Sequence, residues 1–286
     1  MADVLVTGAT GLVGAALARA LAAGGHNVTA LSHRDGDVAD AATWARQPAA
    51  AHVFHLAARS YVPDSWRDPA GFIATNVGGT TQALEYCRAH GAHLVLASIS
   101  LFGTPQRLPV HEDDAIEPNT PYALSKFVAE RACAFYAATF NVPVTVVRLV
   151  NIFGPGQRAE FLIPAIIAQI RNGEAIRVKT LAPRRDFLFV DDAVTGLISA
   201  TARPAGYRVV NLGSGVSHSV ADVADTIQTA AGTSLPVVSD EEERVNEIPE
   251  VRADITRALE LLGWSPRLTF AQGIARLVAA ELAPRR

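Results

Sequence analysis

Several features are scarce in this chain of 286 residues, and each scarcity excludes a class of protein. Two cysteines, Cys87 and Cys133, are too few for a disulfide framework, so we expect buried thiols in a reducing, cytoplasmic environment. No apolar run approaches the roughly 20 residues that cross a bilayer, and the chain opens without a basic segment and cleavage site, so neither a membrane span nor a signal peptide is predicted. Basic runs are missing and the formal net charge is −3, which argues against a nucleic-acid surface.

The composition that remains, 49% hydrophobic and 19% charged, is that of an α/β enzyme with one large domain or two intimate ones. Residues 4–6 form a short apolar run that predicts a buried strand. Gly8, Gly11 and Gly14 follow, and the alanine-rich stretch 15–23 predicts a helix. A plain strand-turn-helix corner is one interpretation. The other is a dinucleotide site, in which glycines let the backbone approach a pyrophosphate and the helix start faces its negative charge.

The spacing Gly8-x-x-Gly11-x-x-Gly14 resembles the glycine motif of the extended short-chain dehydrogenase/reductase superfamily, and in particular its NAD-dependent epimerase/dehydratase family. Later motifs follow in the order of that family as far as a closing Leu-Gly-Trp-x-Pro at 262–266. The resemblance implies a Rossmann-like, doubly wound parallel sheet with a smaller, discontinuous C-terminal substrate domain. The implied boundaries are 1–156 with 188–213 for the dinucleotide-binding domain, and 157–187 with 214–286 for the substrate-binding domain.

The end of the second predicted strand, 27–31, bears on the choice of cofactor. NAD sites usually carry an acidic residue there, whereas an arginine nearby suits the 2′-phosphate of NADP. Ser32, His33 and Arg34 therefore favour NADP, while Asp35 and Asp37 leave NAD possible. The other cofactor-binding residues that the resemblance implies are Gly8, Gly11, Leu12, Val13, Gly14, Val38, Leu56, Ala57, Ala58, Asn76, Tyr122 and Lys126.

Three further predictions concern the middle of the sheet. Residues 36–40 follow the second strand so closely that this part of the sheet is expected to be abbreviated. His55 lies inside the predicted strand 52–56, and we interpret it as a packed, hydrogen-bonded histidine rather than a catalytic one. Asn76 is a polar residue in a helix predicted from about Pro69 to His90, so it needs a buried partner.

The residues that could carry the chemistry are Ser98, Tyr122 and Lys126. Ser98 follows the predicted strand 93–97, and Tyr122 and Lys126 lie four residues apart on one face of a helix that opens at Thr120 and Pro121. A nearby ammonium and the positive end of the helix are expected to favour the phenolate. By the resemblance, Tyr122 exchanges a proton with a sugar oxygen that Ser98 also binds, and Lys126 holds the nicotinamide ribose. No His/Cys spacing predicts a metal site, and no G-x-S-x-G hydrolase elbow is present.

The resemblance also implies a nucleoside-diphosphate sugar as substrate. Ile99 and Ser100 stand where the 4,6-dehydratases of the family carry Asp-Glu, which argues against a dehydratase. Asp191 and Asp192 are interpreted as acids that cap a helix start. The implied substrate-binding residues are Ser60, Tyr61, Ser100, Phe102, Asn151, Arg158, Arg185 and Arg244.

Three functions stay open at this point. The residues after the second strand favour an NADPH-dependent reductase of nucleoside-diphosphate 4-keto-6-deoxyhexoses. The alternatives are an NAD-dependent 4-epimerase of nucleotide sugars and a nucleotide-sensing binding protein. An intact Ser98, Tyr122 and Lys126 argue against the binding protein.

Members of the family often dimerise through the tyrosine-bearing helix, so a homodimer is expected. Phe127, Phe135 and Tyr136 are candidates for its face or for burial within the subunit.

Overall fold

A computed structural model describes residues 1–100, 103–202, 206–241 and 247–282. The strands are β1 (Asp3–Thr7), β2 (Asn27–Leu31), β3 (His52–His55), β4 (His93–Ile99), β5 (Val144–Leu149), β6 (Asn151–Phe153), β7 (Ile176–Val178), β8 (Arg184–Phe189), β9 (Tyr207–Leu212), β10 (Ser217–Ser219), β11 (Val237–Ser239) and β12 (Glu250–Val251). The helices are α1 (Leu12–Ala23), α2 (Ala41–Ala45), α3 (Val62–Arg67), α4 (Pro69–Ile73), α5 (Gly79–His90), α6 (Pro121–Phe140), α7 (Leu162–Asn172), α8 (Val190–Ser199), α9 (Val220–Ala231), α10 (Thr256–Leu262) and α11 (Phe270–Leu282). Within the described ranges, no helix is both long enough and apolar enough to cross a membrane.

The main sheet has six strands in the order β2-β1-β3-β4-β5-β9, and every neighbouring pair is parallel. Parallel strands are joined by crossovers, which place helices on both faces of the sheet and bury its strands. The predicted doubly wound sheet is therefore confirmed. All six strands end at the same edge, and this carboxyl edge is where ligands bind in open sheets of this kind.

The sheet is short at one side, as the close spacing of 36–40 predicts. Residues 32–51 contain a turn and the short helix α2 but no strand, so β2 forms the edge of the sheet. The loop closes instead against helix α5. A Cβ atom built on Gly79 would lie 2.9 Å from Cγ2 of Val38, so Val38 packs directly on the start of that helix.

The helix predicted from Pro69 to His90 is interrupted. Helix α4 passes into a π-helical turn at Ala74–Gly78, and α5 continues from Gly79. Asn76 lies in the middle of this turn and is buried. Because π-helical turns are rare and occur frequently at functional sites, the turn marks Asn76 as a positioned residue.

A second sheet forms beyond β5. Strand β8 lies at its centre, between β10 and β12, and also pairs with β6. Strand β8 thus crosses the predicted boundary between residues 187 and 188, and β6 joins it although the prediction assigns β6 to the dinucleotide-binding part. The division into two domains stays a prediction.

Two apolar cores cover the two faces of the main sheet. One lies beneath α5 and α6 and includes Cys87 and Cys133, which are buried and free, as expected. The other runs from Leu17 on α1 to Trp264 and Ile274 near the end of the chain. Since this second core is continuous, it fixes the C-terminal helices against the sheet.

Asp192 has a different role from the predicted helix cap. Both Asp191 and Asp192 lie in the first turn of α8, but no side chain caps that helix at its N-cap residue, Phe189. The buried carboxylate of Asp192 instead accepts the N–H groups of Arg267 (3.1 Å) and Leu268 (2.9 Å). It therefore anchors the segment that leads into α11.

His93 illustrates how the fold buries titratable groups. Its Nε2 lies 3.0 Å from Oγ1 of Thr145, and its ring meets that of His52 edge-on, with the centroids 5.7 Å apart. Burial, together with the neighbouring His52 and Arg208, lowers the pKa of His93 from 6.5 to about 4. The fold therefore favours the neutral imidazole.

We expect acid to destabilise the protein through His93. Because its pKa is lower in the folded chain, its contribution is complete above pH 6.5 and is lost as the pH falls towards about 4. Urea unfolding at neutral pH and at about pH 4.5 should therefore show a loss of stability that is roughly 2 kcal/mol smaller in His93→Gln than in the wild type. His33→Gln, which changes an exposed ring, serves as the control. An equal loss in His93→Gln and the wild type would contradict the assignment.

Candidate active site

The glycine turn after β1 is packed so closely that only glycine fits. Gly8 has φ +68°, and a Cβ atom built on it would lie 2.8 Å from the backbone nitrogen of Ala57. A Cβ atom on Gly14 would lie 2.2 Å from the carbonyl oxygen of Gly8. The turn therefore lies against the end of β3, and α1 starts from it at Leu12, with Val13 and Gly14 in its first turn.

His55 has the structural role that was predicted for it. Its ring is buried, and Nδ1 lies 2.9 Å from Oγ1 of Thr7. The same hydroxyl accepts the N–H of Ala57 at 3.1 Å, which ties the end of β1 to the end of β3. Burial, together with the charge of Lys126, lowers the pKa of His55 to about 3, so the ring is neutral at ordinary pH.

Asn76 has the buried partners that its position requires. Its Oδ1 accepts the N–H of Arg59 at 2.8 Å, and its Nδ2 donates to the carbonyl of Arg59 at 3.0 Å and to Oγ of Ser125 at 2.8 Å. Ser125 in turn donates to the carbonyl of Tyr122 at 2.7 Å. One amide thus joins the loop after β3 to the start of α6. No motif in the sequence marks Ser125, although this residue directly precedes Lys126.

Ser98 lies on β4, and Tyr122 and Lys126 lie on α6, which packs against that strand. Ser98 is near the end of β4 and buried, and no residue in the described part of the chain hydrogen-bonds to its Oγ. Tyr122 is in the first turn of α6, where the Thr120 hydroxyl accepts the N–H of Ala123 at 3.0 Å and caps the helix. Lys126 follows one turn later and is 4% exposed.

The charges of this group differ from the prediction. Burial raises the pKa of the Tyr122 phenol above its ordinary value. Burial also lowers the pKa of the Lys126 ammonium to about 8, and the charge of Glu130 opposes that shift. The expectation that Lys126 and the helix start favour the phenolate is therefore wrong for the polypeptide by itself, because desolvation outweighs both effects.

A buried ion pair next to this group was not predicted. Arg148 Nη2 lies 2.7 Å from Oε2 of Glu130, and Arg148 Nη1 donates to the carbonyl of Glu112 at 2.9 Å. The pair ties α6 to β5. Two features of the sequence indicate this ion pair: an arginine inside an apolar strand, and a glutamate on the face of α6 that is buried.

At the end of β2, Ser32 has an unforeseen partner. Its Oγ and its backbone N–H both donate to Oδ2 of Asp35, each at 2.8 Å. His33 and Arg34 are exposed on the same turn. Asp37 follows, and its Oδ1 accepts the N–H of Ala39 at 2.9 Å.

Among the predicted substrate-binding residues, Tyr61 and Arg158 lie together. The guanidinium carbon of Arg158 is 5.5 Å from the centroid of the Tyr61 ring, which also meets Phe161 edge-on at 6.0 Å. Ser60 precedes Tyr61 and is exposed, whereas Ser100 is buried beyond the end of β4. Tyr61 and Arg158 therefore bring the loop after β3 into contact with the loop before α7.

The other predicted substrate-binding residues are spread more widely. Nδ2 of Asn151 donates to the carbonyl of Asp186 at 3.0 Å. Arg185 forms an ion pair with Glu247 and donates to the carbonyl of Ile248 at 2.7 Å, so its guanidinium already has a carboxylate partner. Phe102 and Arg244 lie outside the described residues.

Residues 4–213 match the model of the NAD dependent epimerase/dehydratase family. The chain belongs to this family. It is 31% identical to a GDP-6-deoxy-D-mannose reductase of Pseudomonas aeruginosa, over 96% of this chain and 95% of the relative. It is 30% identical to a UDP-glucose 4-epimerase of Mycolicibacterium smegmatis, over 96% of both chains. The predicted extended short-chain dehydrogenase/reductase is thus confirmed, and the chain is an enzyme of this NAD(P)-dependent class.

Solved structures of the epimerase/dehydratase family have the same fold. One is MoeE5 in complex with UDP-glucose and NAD, at 30% identity and a TM-score of 0.88, with 96% of this chain and 97% of that one covered. Another is RMD from Pseudomonas aeruginosa complexed with NADPH, at 29% identity and a TM-score of 0.88, with 98% of both chains covered. The homologous structures therefore bind either NAD or NADPH.

The residues at the carboxyl edge suit such a dinucleotide. A Cβ atom on Gly8 or Gly14 would collide with the backbone of Ala57 or of Gly8, so both positions need glycine, as the turn of a dinucleotide site does. The Oγ of Ser98 has no partner among the described residues, so it has a donor and lone pairs to offer a reacting oxygen. Both observations are compatible with the NAD or NADPH that the homologous structures bind.

We expect Gly14→Ala to abolish dinucleotide binding. The added methyl group would lie 2.2 Å and 2.8 Å from backbone atoms of Gly8. Backbone atoms cannot move aside by changing a side-chain rotamer, so the turn must open. Fluorescence titration with NADPH and NADH should show a loss of at least about 100-fold, the factor that about 2.7 kcal/mol of lost binding energy gives.

Gly24→Ala is the matched control for this variant. Gly24 is the C-cap of α1, and a Cβ atom there makes ordinary contacts of 3.4 Å. Equal affinity of Gly14→Ala and the wild type would show that the glycine turn does not hold the cofactor.

Proposed function

We propose that this enzyme reduces the 4-keto group of a nucleoside-diphosphate 4-keto-6-deoxyhexose with NADPH. The observation that carries the proposal is that Ser98 lies near the end of β4 while Tyr122 and Lys126 lie in the first turns of α6, which packs on β4, and that the Ser98 hydroxyl has no partner among the described residues. The similarity to a GDP-6-deoxy-D-mannose reductase supports the sugar class, and Arg34 at the end of β2 supports NADPH.

Each residue of the group has a role in this reaction. The nicotinamide, when bound, supplies the hydride. Tyr122 donates a proton to the ketone oxygen, which Ser98 holds by a hydrogen bond. Lys126 binds the nicotinamide ribose, and its ammonium charge stabilises the phenolate that remains after Tyr122 has given up its proton. Leu12, Val13 and the glycine turn hold the pyrophosphate at the start of α1.

The protonation state of Tyr122 favours reduction as the first step. Burial raises the pKa of the phenol, so it carries its proton at neutral pH. Reduction of a ketone begins with a proton donor, whereas oxidation of a sugar hydroxyl begins with a base. The polypeptide therefore presents Tyr122 in the form that a reductase uses.

An NAD-dependent 4-epimerase of nucleotide sugars is the second candidate. The similarity to a UDP-glucose 4-epimerase favours it, and so does the carboxylate of Asp35 at the end of β2, since acidic residues there suit the ribose of NAD. The same Ser98, Tyr122 and Lys126 would then serve an oxidation followed by a reduction. The two candidates differ in what the enzyme does with its dinucleotide.

That difference provides the deciding experiment. The purified protein is denatured, any released dinucleotide is identified, and the emptied protein is titrated with NADPH and NADH. An empty site that prefers NADPH, together with NADPH consumption on GDP- or dTDP-4-keto-6-deoxyhexoses, supports the reductase. Stoichiometric bound NAD and interconversion of UDP-sugars without net cofactor consumption supports the epimerase instead.

We expect Tyr122→Phe to lower kcat by about 10²- to 10⁴-fold, the range for loss of a positioned acid. The phenyl ring keeps its edge-on contact with Phe72 (centroids 6.1 Å apart), so NADPH affinity should change little. Tyr136→Phe is the matched control, because it removes a hydroxyl from the same helix that bonds to Glu85, away from the site. Near-normal turnover of a folded Tyr122→Phe would refute the mechanism.

We also propose a cytoplasmic homodimer. Leu124, Val128 and Phe135 form an exposed apolar stripe along α6, and Phe135 is 58% exposed. Of the three residues predicted for this face, Phe135 alone is exposed; Phe127 is partly buried, and Tyr136 is partly buried and bonds to Glu85. A second copy of α6 is the occupant that such a stripe suits. The two buried free thiols are consistent with a reducing cytoplasm.

Light scattering should therefore give the mass of a dimer for the wild type. Phe135→Glu places a charge on the stripe and should shift the mass to that of a monomer. Leu259→Glu, at an equally exposed position (56%) on α10, should leave the dimer intact. A wild-type protein of monomer mass would exclude the homodimer.

A further inference from the structure

Helix α6 carries one acidic residue, Glu130, and this residue lies one turn beyond Lys126 on the buried side of the helix. Residues four apart on a helix are neighbours, with about 5–6 Å between their Cβ atoms. Glu130 is 2% exposed and Lys126 is 4% exposed. Salt and water therefore screen the attraction between their charges only weakly.

Arg148 of β5 holds the carboxylate of Glu130 in place. Nη2 of Arg148 donates to Oε2 at 2.7 Å, and its Nε donates to Oε1 at 3.1 Å. A forked contact between a guanidinium and a carboxylate fixes the geometry of both groups. The negative charge of Glu130 therefore has a defined position one turn from Lys126.

The other titratable groups around Lys126 are uncharged at neutral pH. His55 comes from β3, and burial together with the charge of Lys126 lowers its pKa to about 3. Cys133 lies two turns further along α6, and burial raises the pKa of its thiol. Burial likewise raises the pKa of the Tyr122 phenol. Of the groups named here, Glu130 alone brings a negative charge to Lys126.

The elements that pack on α6 bring further groups to this region. Cys87 comes from α5, and Tyr207 of β9 donates its hydroxyl to the carbonyl of Glu130 at 3.5 Å. Desolvation raises the pKa of both side chains, so both keep their protons. Asp64 and Arg67 of α3 pair with each other at 3.2 Å near the surface. None of these groups replaces the carboxylate of Glu130.

We propose that Glu130 is a positioning residue that keeps the buried Lys126 in its charged form, with Arg148 as the anchor of its carboxylate. Burial by itself favours the neutral amine. It lowers the pKa of the Lys126 ammonium to about 8, and the charge of Glu130 opposes that shift.

The three side chains together carry one positive charge in the interior. The phenolate that Tyr122 becomes after giving up its proton would balance this charge, so the arrangement suits the proton transfer of the proposed reaction. The inference rests on the proposed function for that step only. The effect of Glu130 on Lys126 belongs to the polypeptide itself and can be measured without cofactor or substrate.

The chain contains only two lysines, Lys126 and Lys179, which makes Lys126 directly observable. The full-length protein is labelled with carbon-13 lysine, and the Cε signals are followed by NMR as the pH is raised. Lys179→Arg assigns the two signals, and the exposed Lys179 serves as the internal reference. In the wild type, Lys126 should titrate at a pH of about 8.

Glu130→Gln keeps the shape of the side chain and removes its charge. We expect the titration of Lys126 to move down by about one to two pH units, the size that one charge about 6 Å away gives at an effective dielectric constant of about 20. If the enzyme reduces 4-keto sugars, the alkaline limb of its kcat profile should move down in the same direction.

Glu85→Gln is the matched control. Glu85 on α5 also pairs with an arginine, Arg88, at 2.6 Å, and it also bonds to α6, where it accepts the hydroxyl of Tyr136 at 2.6 Å. Tyr136 lies about three turns beyond Lys126. The titration of Lys126 should therefore stay at the wild-type value in this variant.

Two further variants separate charge from structure. Glu130→Asp keeps the charge on a shorter side chain and should restore most of the shift that Glu130→Gln causes. If the unpaired Arg148 prevents Glu130→Gln from folding, Glu130→Leu combined with Arg148→Met removes both charges, a replacement that buried ion pairs often tolerate. The titration of Lys126 should move down in this double variant as well.

The outcomes distinguish this inference from the proposed function. An unchanged titration of Lys126 in a folded Glu130→Gln, or in the double variant, would overturn the role of Glu130 and leave the proposed function intact. A shift of equal size in Glu85→Gln would also overturn it, because any glutamate paired with an arginine would then have the same effect. A lowered titration in Glu130→Gln, in an enzyme that reduces no 4-keto sugar, would support the role of Glu130 and contradict the proposed function.

Discussion

The buried ion pair of Arg148 and Glu130 is the interaction on which the site depends. Separating such a pair costs about 3–5 kcal/mol, because it leaves one charge without a partner in the interior. Arg148 lies in β5 and also holds the carbonyl of Glu112, whose own carboxylate accepts the N–H of Asn211 in β9 at 2.7 Å. One guanidinium thus relates α6 to β5 and, through Glu112, to β9 at the edge of the sheet. The orientation of Tyr122 and Lys126 follows from it, since both are on α6.

The amide of Asn76 makes the corresponding link on the other side of the site. It joins the loop after β3 to Ser125, the buried residue that directly precedes Lys126 on α6. Between these two anchors the inward side of the first turns of α6 is shielded from water, since Ser125 is fully buried and Lys126 is 4% exposed. Desolvation raises the pKa of the Tyr122 phenol, which favours its protonated form, and lowers the pKa of the Lys126 ammonium. Burial therefore favours the protonated phenol in the polypeptide by itself.

The sequence predicts what depends on local pattern. Apolar runs, the glycine spacing and the Thr120 cap are local, and they located four strands of the main sheet, the turn at Gly8 and the start of α6 correctly. Local pattern does not predict interactions between distant segments. Asp192 accepts hydrogen bonds from residues that lie about 75 positions later in the chain. Asn76, in the π-helical turn, likewise has its partners in other elements. The phenolate prediction failed for the same reason, because the spacing of Tyr122 and Lys126 contains no information on solvent exclusion.

The short side of the sheet has an evolutionary consequence. The turn at residues 32–37 lies outside both apolar cores, as an appendage of an edge strand. Surface substitutions of this kind usually change stability by about 0.5 kcal/mol or less. A lineage with this architecture can therefore change the side chains of this turn at little cost to the sheet and to the helices that pack on it.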